Sequence, residues 1–381
     1  MRTKPRVLFV VNSVRDLLPG SLFREFLDPA IRRGLDPVLA ILESPPGSRL
    51  QKKQLPAAPC NFLGRRFHLD FGNAFQIRQL GRKHRVQLIQ GWTGKANLAA
   101  RLATIGSSMI KVALKTDLRL EPWLHVLDYT KALGVFDRIL VTHSEIARRL
   151  KPYQHNERQI QQVKLGAPLP RFENVASCGR IRNGIENEIR ESLRIPQDYF
   201  LIGINADMTP DTRMKDLLWA TDLVQTIRSD FRVLIFGDGP QRWRLQRYAR
   251  QCDAIRKVIF VDRNTDFFKW LPELDLYWHA YSHDPNPFAL LAALRAGIPV
   301  MAPRSPGISD LVRDDLNGCL FDEGQRDQIA RKTHALFSSP EKLKAMKAEA
   351  ANTAEESPIE HFVEEVLASY DELLERNSAA L

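Results

Sequence analysis

Two places in the second half of the chain have residue types and spacings that could serve chemistry: a glycine-rich turn and a helix start. Gly237-Asp238-Gly239-Pro240 directly follows the apolar run 232–236 and precedes a basic segment. A helix should begin near Asn286-Pro287-Phe288, because Pro287 suits a first helical turn. The backbone amides of Phe288 and Ala289 could then face an anion such as a phosphate, since a helix N-terminus offers free N–H groups and the positive end of a dipole. Alternatively, Pro287 merely starts a packing helix.

Other chemistries are excluded by what the same positions lack. No G-x-G-x-x-G follows either first strand, where the chain reads Asn12-Ser13-Val14-Arg15 and Asn205-Ala206-Asp207-Met208, so a dinucleotide-dependent oxidoreductase fails at the fingerprint. A P-loop is missing too. Cys60, Cys178, Cys252 and Cys319 are scattered, without the spacing of a zinc site or a disulfide framework. No apolar run approaches the roughly 20 residues that span a bilayer. The run Val7–Val11 is too short for a signal peptide and reads as a strand, so a cytoplasmic location is expected.

Positioning these residues takes a parallel sheet. Short apolar runs alternate with amphipathic stretches throughout, the pattern of strand–helix units. In the first half the strands read as 6–11, 38–42, 86–90, 112–114 and 138–141, with helices over 21–33 and 96–105. In the second they read as 200–204, 232–236, 258–261, 274–278 and 299–301. A polar stretch, Glu173–Glu188, reads as the connection. The expected division is an N-terminal domain at 1–170, a connection at 171–198, a second domain at 199–357 and a terminal helix within 358–381. With 381 residues, 44% hydrophobic and 26% charged, the chain can build two soluble cores.

Charge divides unevenly. Residues 1–170 hold 28 Lys+Arg against 12 Asp+Glu, a balance of +16; the other 27 basic and 33 acidic residues give −6. The net +10 therefore lies entirely in the first half. That excess either meets an anionic partner, such as a membrane surface, or only keeps the domain soluble. Candidates for such a surface include Arg32, Arg33, Lys52, Lys53, Arg65, Arg66, Arg82 and Lys83. Without a nucleic-acid motif, nucleic acid is set aside as partner.

The ordered set Gly237–Pro240, Leu290–Val300, Gly307–Val312 and Asn317–Phe321 resembles the nucleotide-sugar domain of group 1 (family 4) glycosyltransferases. Weaker agreement at Pro19-Gly20, Gln90-Gly91-Trp92 and Met208–Ala220 extends the likeness over nearly the whole chain. The resemblance implies the GT-B fold: two Rossmann-like doubly wound α/β domains facing a cleft, with the last helix, about Pro358 to Arg376, crossing back to the first. It implies a retaining transferase moving a hexose-type sugar from a nucleotide sugar to a glycan or lipid-linked acceptor, with no metal or other cofactor. On that reading Gly237, Asp238, Phe288 and Ala289 bind the donor, while Gly20 and Lys95 lie on the acceptor side.

The chain departs from the family at four donor positions. Of the two glutamates expected seven residues apart, Asp284 keeps a carboxylate and Ala292 keeps none. The expected Arg and Lys that neutralise the diphosphate are Asp207 and Thr212. Arg213 and Lys215 lie close by and either supply that charge or are solvated residues at a helix start. His279 and His283 would either reach a sugar hydroxyl or serve as structural histidines. Asp284 and Arg213 are therefore the expected catalytic residues, and Lys215 a further donor contact. Lys95 stands where many relatives have a histidine; it cannot serve as that neutral base but could bind an anionic acceptor. A non-catalytic relative with a degenerate donor site is the alternative.

Overall fold

The computed structural model describes residues 5–17, 21–43, 55–63, 71–92, 94–116, 136–154, 156–166, 190–210, 212–262, 265, 267–281, 287–355 and 358–379. The expected positions Gly20, Asp284 and His283, and Lys52, Lys53, Arg65 and Arg66 of the basic set, lie outside them. The chain divides into one unit of residues 1–166 with 359–381 and a second of residues 167–358.

In the first unit, β1 (Arg6–Ser13), α1 (Leu22–Arg32), β2 (Asp36–Glu43), β3 (Cys60–Phe62), α2 (Phe71–Lys83), β4 (Leu88–Trp92), α3 (Gly94–Ala103), β5 (Ile110–Lys115), β6 (Arg138–Val141), α4 (Ser144–Leu150) and β7 (Ile160–Gln162) follow one another. The strands form one parallel sheet, ordered β3-β2-β1-β4-β5-β6-β7. Parallel strands covered on both faces need continuous apolar runs rather than alternation, and Val7–Val11 are wholly buried. Ser21 caps α1 by accepting from the Arg24 amide at 3.2 Å. β3 and β7 were not among the strands expected. Each has three residues at a sheet edge, too few to set a period.

The second unit runs β8 (Phe200–Asn205), α5 (Met214–Gln225), β9 (Phe231–Phe236), α6 (Arg242–Gln251), β10 (Val258–Phe260), β11 (Leu276–Trp278), α7 (Phe288–Arg295), β12 (Val300–Pro303), β13 (Gly318–Phe321), α8 (Arg326–Phe337) and α9 (Pro340–Glu355). Its sheet is also parallel, ordered β10-β9-β8-β11-β12-β13. Both sheets thus wind outwards in two directions from their first strand, the Rossmann-like arrangement. Helix α5 packs against α6 and α8, and α7 against α9.

The last helix, α10 (Ile359–Ala379), belongs to the first unit and packs on α1. Phe362 meets Phe26 edge-on at 5.9 Å, joining a ring cluster of Phe9, Phe23 and Trp92. Arg138, with a side chain only 4% exposed, donates to Glu372 at 2.9 Å. Arg33 of the basic set is held by Glu364 at 2.8 Å. The Lys164 amide donates to Glu365 at 2.8 Å.

Candidate functional site

In the second sheet, β9 lies on one side of β8 and β11 on the other. Ligands of open parallel sheets bind outside the carboxyl ends of the strands at such a switch point. Three loops leave the sheet there and are bound to one another largely through backbone groups. Gly237, at φ +99°, lies so close to the loop after β8 that a Cβ would stand 2.2 Å from the Ala206 carbonyl oxygen. A Cβ on Gly239 would meet the Met208 oxygen at 2.6 Å. The glycines of the Gly-Asp-Gly-Pro segment thus let two backbones touch. The Met208 amide donates to the Asp238 carbonyl at 2.9 Å, and the Gln241 amide to the Met208 carbonyl at 2.9 Å.

The loop after β11 completes the set. The Arg213 amide donates to the Ala280 carbonyl at 2.7 Å. The Asp207 amide donates to the Tyr281 hydroxyl at 2.7 Å, and the Tyr277 hydroxyl donates to the Asn205 carbonyl at 3.3 Å. Asp207 itself is exposed, whereas Asp238 is half-buried. His279 is 1% exposed, and burial holds its imidazole down to a pKa of about 3, so it is neutral at ordinary pH.

Helix α7 follows this loop in the chain, with Pro287 in the cap position. No side chain caps it and its first turn contains no acid, so nothing anionic on the helix competes for the positive end of the dipole. The Phe288 and Ala289 amides precede the Leu291 amide, which bonds back to the Pro287 carbonyl at 2.9 Å. Phe288 is buried and Ala289 half-buried. Ala292, where the resemblance calls for a carboxylate, is buried among apolar neighbours on the same helix.

Arg213 and Lys215 are not brought together. The Arg213 guanidinium donates to Asp216 at 2.6 Å and to Glu323 at 2.8 Å. Asp216 is shared with Arg326 at 2.5 Å, making a buried carboxylate between two guanidiniums. Lys215 turns instead to α6, with Nζ 5.7 Å from the Tyr248 ring centre. The sequence reading missed Asp216, Glu323 and Arg326. The spacing of Arg213 and Asp216 on one helix face was a usable signal; Glu323, 110 residues further on, gave none.

In the first unit, the equivalent switch point lies between β1 and β4. Asn12, just before the end of β1, accepts from the Ala96 amide in the first turn of α3 at 2.9 Å. Lys95 lies 3.9 Å from Glu43, so its charge is opposed by a carboxylate at the end of β2. Burial raises the Asp16 carboxyl above its usual range, against the pull of the Ser13 and Asn12 amides. Among the described residues, no group of three or more His, Cys, Asp or Glu side chains could hold a metal ion.

Residues 185–353 match the family described as glycosyl transferases, group 1. The chain is 23% identical over 234 residues to the putative glycosyltransferase EpsD of Bacillus subtilis, a match covering 61% of this chain and 60% of that protein. It is 30% identical over 97 residues to the lipopolysaccharide core biosynthesis glycosyltransferase LpsE of Rhizobium meliloti, 26% of this chain and 28% of that one. Its matches span between 19% and 60% of the curated relatives' lengths. Among solved structures it is similar to HepE of Anabaena, crystallised with UDP and glucose. There the TM-score is 0.78 at 14% identity, over 97% of this chain and 100% of that one. With two doubly wound parallel sheets and the likeness to HepE over 97% of its length, the chain has the GT-B fold, and residues 185–353 of it match the group 1 glycosyl transferases.

Proposed function

We propose that the chain is a nucleotide-sugar-dependent glycosyltransferase that moves a hexose-type sugar, with retention, onto a cell-surface glycan or glycolipid. The observation that carries this reading is the backbone-tied triplet of loops at the β8/β11 switch point, with the uncapped start of α7 next along the chain from the third of them. Amides fixed in place before the donor arrives cost no reorganisation as charge grows on the leaving diphosphate. Arg213, joined to the loop after β11 through its own amide, is the nearest cation in sequence to the missing Arg and Lys. Asp284 is assigned to the donor sugar. No metal is required in this scheme.

UDP-glucose is the first donor to try, given the HepE complex, and a lipopolysaccharide core intermediate the first acceptor class, given LpsE. The binding-only alternative draws on two observations: Ala292 offers the ribose no acceptor, and Arg213 already has two carboxylates. Calorimetric titration with UDP-, GDP- and ADP-sugars decides. Binding of one of them with slow hydrolysis or transfer supports the enzyme. Binding without any turnover, or no heat at millimolar donor, sinks the enzyme reading and favours the alternative.

A further inference from the structure

The second half of the chain is acidic overall, yet α6 has four arginines and no acid among its ten residues. Its inner face is Leu245 and Ala249, with Tyr248 and Cys252 partly covered. The outer face is Trp243, Arg247 and Arg250, at positions i, i+4 and i+7, with Arg244 beside them; all four are exposed. Trp243 is 59% exposed. Elsewhere in this unit, Arg213, Arg228, Arg256, Arg304, Arg313, Arg326 and Arg331 each pair with a carboxylate. Arg244, Arg247 and Arg250 have no ion-pair partner among the described residues. Nearby acids are engaged elsewhere: Asp222 accepts from Gln225, Asp253 pairs with Arg256, and Asp216 lies between Arg213 and Arg326.

The surface continues onto α5. Lys215 lies over the Tyr248 ring, and Trp219, one turn on, is 41% exposed under the Arg326 guanidinium at 4.2 Å. Arg244 lies 5.2 Å from the Trp243 ring. We propose that the outer face of α6, with the adjoining Lys215 and Trp219, docks this protein on an anionic lipid bilayer.

The chemistry favours a bilayer over a soluble polyanion. A helix face is convex, and it offers side chains to a plane rather than a groove to a strand. Indoles prefer the headgroup level, where the ring is dry and the N–H is wet, and long arginine stems snorkel to phosphates from the same depth. One face of each indole already meets a guanidinium, which leaves less ring for stacking on a sugar. The inference does not depend on the transferase reading, since it concerns a face on the outside of α5 and α6.

The test is co-sedimentation of the full chain with vesicles of phosphatidylcholine alone and with added phosphatidylglycerol, at low and high salt. Binding is expected only with phosphatidylglycerol and should weaken with salt. Each arginine at an anionic surface contributes about fivefold to partition, so R244E/R247E/R250E should lose more than tenfold. Its melting temperature and nucleotide-sugar binding should match the parent's, which separates this outcome from misfolding and from failure of the donor site. Brominated lipid should quench tryptophan emission, and W219F/W243F should lose most of that quenching. Parent-like binding by the triple variant would overturn the proposal and return the role to the basic first half. Quenching that survives W219F/W243F, or binding to heparin but not to vesicles, would overturn it as well.

Discussion

The Tyr370 hydroxyl on the terminal helix donates to the side-chain oxygen of Gln90 in the middle of the first sheet, 280 residues away. Both groups are buried, and burial raises the phenol's pKa well above its usual value, so the donor stays protonated. Tyr370→Phe strands the buried Gln90 amide and should cost about 1–3 kcal/mol in denaturant unfolding. Replacing both partners, with Gln90→Leu added, should recover much of that loss. An unchanged midpoint for Tyr370→Phe would mean the bond contributes nothing.

Glu323 holds Arg213 from the loop after β13, and its side chain is 53% exposed. If Arg213 serves the donor diphosphate, Glu323 competes with the donor for it. Glu323→Gln should then tighten UDP-sugar binding by about two- to fivefold, the range of an exposed ion pair, with little change in melting temperature. Weaker binding would place Arg213 outside the site.

Gly237→Ala should be costly in a way that can be separated from simple backbone preference. At φ +99° its Cβ would collide with a backbone oxygen that cannot rotate away. A loss of about 1–3 kcal/mol is expected, together with loss of donor binding. Gly106, also at positive φ, has nothing within 4 Å of a built Cβ, so Gly106→Ala should pay only the strain of its backbone angle. Equal effects of the two substitutions would refute the close approach of the two loops.

His279 predicts the acid sensitivity of the second unit. An imidazole buried in the neutral form binds its proton less readily folded than unfolded. Its stabilisation is complete above the unfolded value of 6.5 and is lost as pH falls from there towards about 3. The slope should reach at most about 1.4 kcal/mol per pH unit. Urea unfolding at stepped pH should show it, and His279→Phe should flatten it. An equally steep slope in the variant would assign the effect to other groups.

The features legible along the chain follow from local physics. The central strands β1, β2, β8 and β9 are apolar runs because both faces of a parallel sheet are covered, and each was legible to within about three residues of its observed ends. Pro287 marked the start of α7 through its restricted backbone angle. The same reading assigned the group 1 family from an ordered set of short segments, and the match over residues 185–353 agrees. Tertiary structure alone decided the partners of the side chains. Asp216 became the centre of a network only when β13 and α8 brought Glu323 and Arg326 to it, and Lys215 was drawn to Tyr248 on a neighbouring helix. Pairing across a hundred or more residues leaves no period in the chain. It depends on where two surfaces meet after the sheets have formed.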